Sequence, residues 1–241
     1  MTKQVAYCAL LIFALIPSAI ASAKERLLLT THNLAPYGSF PKDSPIKAIA
    51  DDSFNGYAVE AARCALENIN WQFEIRVVPW KRAQKEVEIG KAHGFFAASQ
   101  SDFRDSYATM TTTLADQQWT WYYKQDSSIP PNHPEFKADA LVGSFAGANM
   151  QAWLESEGFN ASFSAIDSAT LLDALLVERI DAILANNYVM DKILKERSLR
   201  LGKQIQQDKP LGIYFRNSFL KKYPSFLPQL NAAIDICRSS D

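Results

Sequence analysis

The stretch that determines the fold is residues 73–98, FEIRVVPWKRAQKEVEIGKAHGFFAA. Its β-branched and aromatic run at 73–78 predicts a strand, and residues 81–89 predict a helix that Gly90 ends. The apolar run at 94–98 predicts the next strand. A strand, a helix and a strand in direct succession indicate a βαβ unit with parallel strands.

The same alternation extends along the chain in both directions. Before this unit the pattern predicts a strand at 26–31 and a helix at 56–68. After it a second set is predicted, with strands at 141–145, 161–166 and 180–185 and helices at 149–157 and 168–178. We expect Ser168 to cap the last of these helices. The aromatic segment 119–123 predicts a strand that connects the two sets.

Two sets of alternating strands and helices predict an α/β protein with two lobes, each containing a parallel sheet covered on both faces. The composition is that of a soluble globular protein, with 48% hydrophobic and 21% charged residues among 241. The net charge of -1 argues against a nucleic-acid-binding protein, since such proteins are usually clearly basic.

The N-terminus has the layout of a secretory signal peptide. Lys3 precedes an apolar run of 12 residues at 5–16, and Ala21-Ser22-Ala23 provides the small residues of a cleavage site. The alternative is a membrane anchor, but the run is shorter than the about 20 residues that span a bilayer. We expect cleavage after Ala23, with cleavage after Ala21 as the alternative, and export to the periplasm, so residues 1–23 are assigned to the signal peptide.

Two cysteines, Cys64 and Cys237, remain after that cleavage. An exported protein meets an oxidising compartment, where an even pair of cysteines is a candidate disulfide. The alternative is two buried thiols, because each cysteine falls in a predicted helix.

Catalytic and metal-binding motifs are absent from the sequence. His32, His93 and His133 lack metal-ligand spacing, and no nucleophile elbow, phosphate-binding loop or dinucleotide fingerprint is present. His32 follows a predicted strand, and we interpret it as a hydrogen-bonded structural histidine rather than a catalytic one. We therefore expect no enzyme activity, no metal and no cofactor.

Ligand-binding candidates follow from the predicted strand ends. Open α/β sheets bind ligands outside the carboxyl ends of their strands, and a cleft between two lobes is a favoured site for small molecules. This rule selects five segments, at 33–40, 79–80, 99–104, 146–149 and 186–188.

Several short motifs resemble the periplasmic solute-binding proteins of the polar amino-acid type, family 3. They are Phe-Asn-Gly-Tyr-Ala-Val-Glu at 54–60, Gly-Lys-Ala-His-Gly at 90–94, Ser-Gln-Ser-Asp-Phe-Arg at 99–104 and Arg-Ile-Asp-Ala-Ile at 179–183. The resemblance implies a periplasmic binding protein-like type II fold, with two α/β lobes joined by a hinge that the chain crosses twice. Because residues 209–214 resemble the family's return strand, lobe one is expected to contain 24–117 and 208–241, and lobe two 118–207.

The resemblance also implies binding residues in lobe one. Arg104 holds the position of the arginine that clamps the ligand carboxylate, and Ser99 holds that of a hydroxyl donor. The alternative for Arg104 is a surface ion pair with Asp102 or Asp105. Tyr37 matches a position that lines the cleft, and Trp80, at a predicted strand end, could stack on a ligand. Core packing is the alternative for both aromatic residues.

Lobe two departs from the family pattern. Asn186 stands where the family has the aspartate that binds the ligand amine, and it carries no charge to pair with an ammonium. Gly147-Ala148-Asn149 replaces the family's Gly-Thr, so only backbone N–H groups near Gly147 remain as anion donors. The family comparison implies a monomer that binds a small polar, carboxylate-bearing solute for delivery to a membrane ABC permease. The alternatives are a stand-alone periplasmic sensor or a dehydratase-like enzyme.

Overall fold

The computed structural model describes residues 26–238. The predicted signal peptide, residues 1–23, lies outside the described residues, as do the outermost residues of predicted lobe one. In the part of the chain from 26 to 238, no helix is both long and apolar enough to cross a membrane.

The described chain forms ten strands and nine helices. The strands are β1 (Leu27–Thr31), β2 (Phe73–Val77), β3 (Gly94–Ser99), β4 (Ala108–Met110), β5 (Gln118–Tyr123), β6 (Leu141–Phe145), β7 (Asn160–Ala165), β8 (Ala182–Asn186), β9 (Gly202–Asp208) and β10 (Leu211–Arg216). The helices are α1 (Tyr57–Asn68), α2 (Trp80–Glu88), α3 (Asp102–Asp105), α4 (Phe136–Asp139), α5 (Asn149–Ser156), α6 (Ser168–Leu176), α7 (Asn187–Glu196), α8 (Asn217–Lys222) and α9 (Phe226–Arg238).

These strands form two sheets of five. The first has the order β2-β1-β3-β10-β4 and the second the order β7-β6-β8-β5-β9. The chain passes from the first sheet to the second between β4 and β5 and returns between β9 and β10. The fold is therefore α/β with two lobes and two crossings; we refer to residues 111–117 and 209–210 as the crossing segments.

The expectation of purely parallel sheets is wrong. β1 is parallel to β2 and β3, and β6 is parallel to β7 and β8. β10 is antiparallel to β3 and β4, and β5 is antiparallel to β8 and β9. The segment predicted to connect the two sets is thus an internal strand of the second sheet. A buried strand has an apolar run whichever way it points, so the sequence pattern does not reveal its direction.

The predicted disulfide between Cys64 and Cys237 is present, with a Cα–Cα distance of 6.1 Å. It joins α1 to α9, which pack together on one face of the first sheet. Each helix buries an apolar stripe at helical spacing, such as Val59, Ala62 and Leu66 in α1. Because α9 comes after the second crossing, the bond fixes the end of the chain in lobe one.

The N-cap of α6 differs from the prediction. Asp167, rather than Ser168, is the cap, and its carboxylate accepts hydrogen bonds from Thr170 N at 2.7 Å and Thr170 Oγ1 at 2.8 Å. The backbone of Asp167 is extended, as an N-cap residue requires, while Ser168 is the first helical residue and is buried.

Glu86 in α2 is a buried carboxylate held by two arginines. Its oxygens accept hydrogen bonds from Arg82 Nε at 2.8 Å and from Arg76 Nη1 at 3.0 Å, while its side chain is 7% exposed. Burial alone would raise the pKa of Glu86, but the hydrogen bonds from Arg82 and Arg76 outweigh burial and hold the pKa below its ordinary value.

We expect Glu86→Gln to lower the free energy of unfolding at neutral pH by about 1.5–3 kcal/mol, because the amide keeps one acceptor oxygen for the two arginines and carries no negative charge. The folded-state pKa is depressed, so this stabilisation is present above the unfolded-state pKa and disappears as pH falls through the folded-state pKa. Urea denaturation across the acid range should show the parent and the variant converging. Glu196→Gln is the matched control, since Glu196 pairs with Lys192 at an exposed site. A difference that stays constant into acid would contradict this account.

Candidate functional site

The carboxyl ends of the parallel strands in both sheets border a space between the lobes. We call its deeper part the inner cavity; its wall includes His32, Trp80 and Arg104 from lobe one and Phe145, Asn149 and Asn186 from lobe two. The outer cavity adjoins it and shares His32, Trp80 and Phe145. Of the six predicted ligand-binding residues, Arg104, Ser99, Trp80 and Asn186 line the inner cavity.

Arg104 is a buried cation in the wall of the inner cavity. It lies in α3, just after β3, and is 2% exposed. Its Nε donates to Gln84 Oε1 at 3.0 Å and its Nη1 to the Ser99 carbonyl oxygen at 2.5 Å. Its Cζ is 5.3 Å from the centre of the Trp80 ring.

Arg104 has no carboxylate partner among residues 26–238, although such pairs are found elsewhere in the same range. It therefore does not form the surface ion pair with Asp102 or Asp105. Asp105 instead accepts a hydrogen bond from the Tyr214 hydroxyl at 2.7 Å. Burial lowers the pKa of Arg104 to about 10, partly offset by nearby Tyr214, Tyr107 and Asp105, so the guanidinium stays charged at neutral pH.

Asn149, which begins α5, connects the two lobes at the inner cavity. Its Nδ2 lies 3.1 Å from Ser99 Oγ, 3.0 Å from the Ser99 carbonyl oxygen and 3.0 Å from that of Gln100. Asn149 belongs to the predicted segment 146–149 and to the sequence Gly147-Ala148-Asn149, but it was not among the predicted ligand-binding residues. Asn149 connects the lobes because its side chain contacts residues of lobe one, and no local sequence pattern encodes that contact.

Gly147 lies where the lobes touch rather than in the wall of either cavity. Its carbonyl oxygen is 3.4 Å from Gln84 Nε2 of lobe one. Its φ is +79°, and an added Cβ would lie 2.6 Å from Lys81 Cγ. Glycine therefore allows the close approach of the lobes here, in a backbone conformation that other residues rarely adopt.

Tyr37 and Asn186 meet beside the first crossing segment. The Tyr37 hydroxyl lies 2.9 Å from the Asp116 carbonyl oxygen and 3.1 Å from Asn186 Oδ1, and its ring is buried away from both cavities. Asn186 also caps α7 by accepting from Val189 N at 3.3 Å, and its Nδ2 donates to Gln117 Oε1. Its amide is therefore engaged with protein groups, although the residue borders the inner cavity.

We expect Asn186→Ala to lower the free energy of unfolding of the ligand-free protein by about 1–2 kcal/mol. The substitution removes an N-cap and leaves the Gln117 amide oxygen without its donor. Urea denaturation measures the change, and Asn160→Ala, at an exposed position in β7, is the control. An unchanged midpoint for Asn186→Ala would show that the side chain does not stabilise this junction.

His32 lies in the wall of both cavities. Its Nδ1 is buried without a hydrogen-bond partner in the described structure, so the expectation of a hydrogen-bonded structural histidine is wrong for this atom. Its ring centre lies 4.6 Å from that of Trp80 and 5.8 Å from that of Phe145 in the other lobe. Burial, with the charge of Arg104, lowers the pKa of His32 to about 3, so the imidazole is neutral at neutral pH.

The described wall of the inner cavity carries one positive charge and no negative charge. Arg104 is the only charged residue in the described wall, and no aspartate or glutamate lines it. Among residues 26–238 no cluster of histidine, cysteine, aspartate or glutamate could hold a metal ion. The arrangement thus presents one cation and several neutral polar groups within mainly apolar walls.

No protein-family model matches the chain, and no curated protein matches it in sequence. Its fold is similar to that of a mutant of ArgBP from T. maritima, with a TM-score of 0.71 at 12% identity, covering 89% of this chain and 90% of that one. It is also similar to a histidine kinase sensor domain with similarity to periplasmic binding proteins, with a TM-score of 0.72 at 15% identity and 89% and 90% coverage.

A third similar structure is an ancestral amino acid-binding protein described as a precursor of cyclohexadienyl dehydratase. Its TM-score is 0.69 at 15% identity, covering 88% of each chain. Similarity at this level of identity establishes the fold. The chain thus has the periplasmic binding protein-like type II fold that the sequence motifs implied.

Proposed function

We propose that this protein binds a small carboxylate-bearing solute between its two lobes. The observation that carries the proposal is the buried Arg104, which lacks a carboxylate partner among the described residues and faces a wall without acidic groups. Burying a charge without a counterion costs several kcal/mol, on the order of the penalty seen for broken buried pairs. A bound carboxylate would supply the missing partner.

The geometry around Arg104 suits this role. A guanidinium presents a planar fork of donors that matches a carboxylate, and the two hydrogen bonds described above leave other N–H groups of the fork available. Ser99, at the end of β3, lines the same cavity, and its hydroxyl could act as a second donor. Two crossing segments permit hinge closure of the lobes around the bound solute.

We further propose that the protein is a periplasmic monomer that delivers its solute to a membrane ABC permease. Sensing is the second candidate, and the similarity to a histidine kinase sensor domain favours it. We propose binding without catalysis, because the only histidine in the inner wall has a pKa of about 3 and is a weak proton acceptor at neutral pH. Recovery of the bound solute chemically unchanged would support binding over a dehydratase-like reaction.

A thermal-shift screen against amino acids, organic acids and amines tests the proposal. A ligand that binds only the folded state raises the midpoint, by about 5–10 °C at a concentration of 100 times Kd for a chain of this size. We expect the strongest shifts from carboxylates. A best ligand without any anionic group would contradict the proposal.

A further inference from the structure

We propose that the solute is a monocarboxylate with an apolar, ring-bearing body and no ammonium group. This inference rests on the proposed carboxylate binding and specifies the class of solute. It differs from recognition of a polar amino acid, for which a site must satisfy an ammonium as well as a carboxylate. Three features of the described cavities carry it.

The first feature is that an ammonium would find no anionic partner in the inner cavity. No acidic residue lines its described wall. Three of the neutral acceptors that could replace one are already engaged, and the first of them, the Ser99 carbonyl oxygen, accepts from Arg104 and Asn149. The Asn186 Oδ1 accepts from Val189 N, and Gln117 Oε1 accepts from Asn186. An ammonium bound here would lose its hydration and find only neutral acceptors such as His32 Nδ1 in place of a counterion.

The second feature is the aromatic character of the wall beside Arg104. Trp80 and His32 from lobe one and Phe145 from lobe two bring their rings together, with His32 between the other two. The His32 ring is neutral, so all three present uncharged faces or edges to a ligand. A ring attached to a carboxylate at Arg104 would contact these residues in an offset or edge-to-face arrangement, which aromatic groups prefer.

The third feature is the space available to the body of the ligand. The inner cavity has a volume of about 60 Å³, whereas the adjoining outer cavity has about 660 Å³. The carboxylate end therefore fits the inner cavity, and a larger body extends into the outer one. Two apolar residues in the wall of the outer cavity are largely exposed, Ile46 at 65% and Ile166 at 83%.

The two acidic residues in the described outer wall do not compensate for an ammonium either. Asp167 caps α6 through both carboxylate oxygens, and Glu196 pairs with Lys192 at 2.8 Å. His32 Nδ1 is a buried polar atom without a partner in the described structure, and it can hydrogen-bond a hydroxyl substituent on the ligand.

Calorimetric titration with matched compounds at pH 7 tests the inference. The reference compound is 3-phenylpropanoate; L-phenylalanine adds only an ammonium, 3-phenylpropanamide removes the negative charge and butanoate removes the ring. Phenylacetate and cyclohexanecarboxylate extend the series to other ring positions. We expect a ring-bearing carboxylate to bind most tightly, with at least a hundredfold weaker binding of L-phenylalanine and of the amide, and at least tenfold weaker binding of butanoate.

Two variants test whether the ring of the ligand contacts Phe145. Phe145→Leu should weaken binding of the ring-bearing carboxylates about tenfold and that of butanoate much less. Phe103→Leu is the matched control, because Phe103 is an exposed aromatic residue outside both cavities. Equal effects of the two variants would contradict the placement of the ring.

The possible failures are distinguishable. Suppose that L-phenylalanine or a polar amino acid binds more tightly than every ring-bearing carboxylate that lacks an ammonium, and that Arg104→Gln abolishes this binding. The proposed solute class is then wrong, while carboxylate binding at Arg104 stands. If no carboxylate in the series or among the amino acids binds, or if Arg104→Gln binds them as the parent does, the proposed function fails as well.

Discussion

Replacement of both Cys64 and Cys237 by alanine is expected to lower the free energy of unfolding by about 5 kcal/mol. The disulfide joins residues separated by 173 positions, and a cross-link over such a long loop removes a large entropy from the unfolded chain. Small domains have total stabilities of about 5–15 kcal/mol, so this loss is a large fraction of the whole. Urea denaturation of the parent and the double variant measures it.

Reduction provides the control for this prediction. Dithiothreitol should destabilise the parent to a similar extent and leave the double variant unchanged, because only the parent contains the bond. A loss of less than about 1 kcal/mol in the double variant would show that the link between α1 and α9 is not a main source of stability.

Arg104→Gln is expected to weaken binding of an anionic solute by about 2–5 kcal/mol. That range corresponds to about a 30- to 5,000-fold increase in Kd. The loss is large because a carboxylate in a closed cavity would be left without its charged partner. Calorimetric titration of the parent and the variant gives the two affinities directly.

The matched control for this prediction is Arg200→Gln. Arg200 is exposed at the far end of lobe two, and the described structure gives it no hydrogen bond or ion pair, so its loss should leave Kd within about twofold. Weakening by Arg200→Gln comparable to that by Arg104→Gln would indicate a general effect of net charge rather than a contact in the cavity.

The fold could be predicted from the sequence to the extent that it is encoded locally. The β-branched run at β2, the amphipathic α2 and the apolar β3 reveal their type by periodicity alone, with boundaries within two residues of the structure. Strand direction could not be predicted for β5 and β10. Their direction depends on where the chain re-enters each sheet. A fully buried strand is apolar throughout, so its sequence does not show whether it pairs in the parallel or the antiparallel direction.

The candidate site, too, could be predicted only in part from the sequence. The strand-end rule placed Arg104, Ser99 and Trp80 in one lobe and Asn186 in the other, and all four border the inner cavity. His32 and Phe145 were not selected, because their contact with each other across the lobes arises only when the lobes are brought together. Sequence alone favours core packing for a single aromatic residue.

Tyr37 and Gly147 are the reverse case, because the rule selected them and neither lines the described cavities. Both follow predicted strands at the sheet edge that borders the cleft. In the structure, the Tyr37 hydroxyl hydrogen-bonds to the first crossing segment, and Gly147 lies against the side chain of Lys81. Proximity to a strand end restricts a residue to the cleft region. It does not determine whether the side chain faces a ligand or the opposite lobe.

The central claim is that Arg104 binds the carboxylate of the solute, and a thermodynamic cycle tests it most directly. The parent and Arg104→Gln are each titrated with the best carboxylate from the screen and with its primary amide. The cycle isolates the interaction between the guanidinium and the negative charge. We expect the variant to lose at least about 30-fold in affinity for the carboxylate and less than about threefold for the amide. Equal losses for both compounds would contradict the claim, because Arg104 would then act by shaping the cavity and not by pairing with a carboxylate.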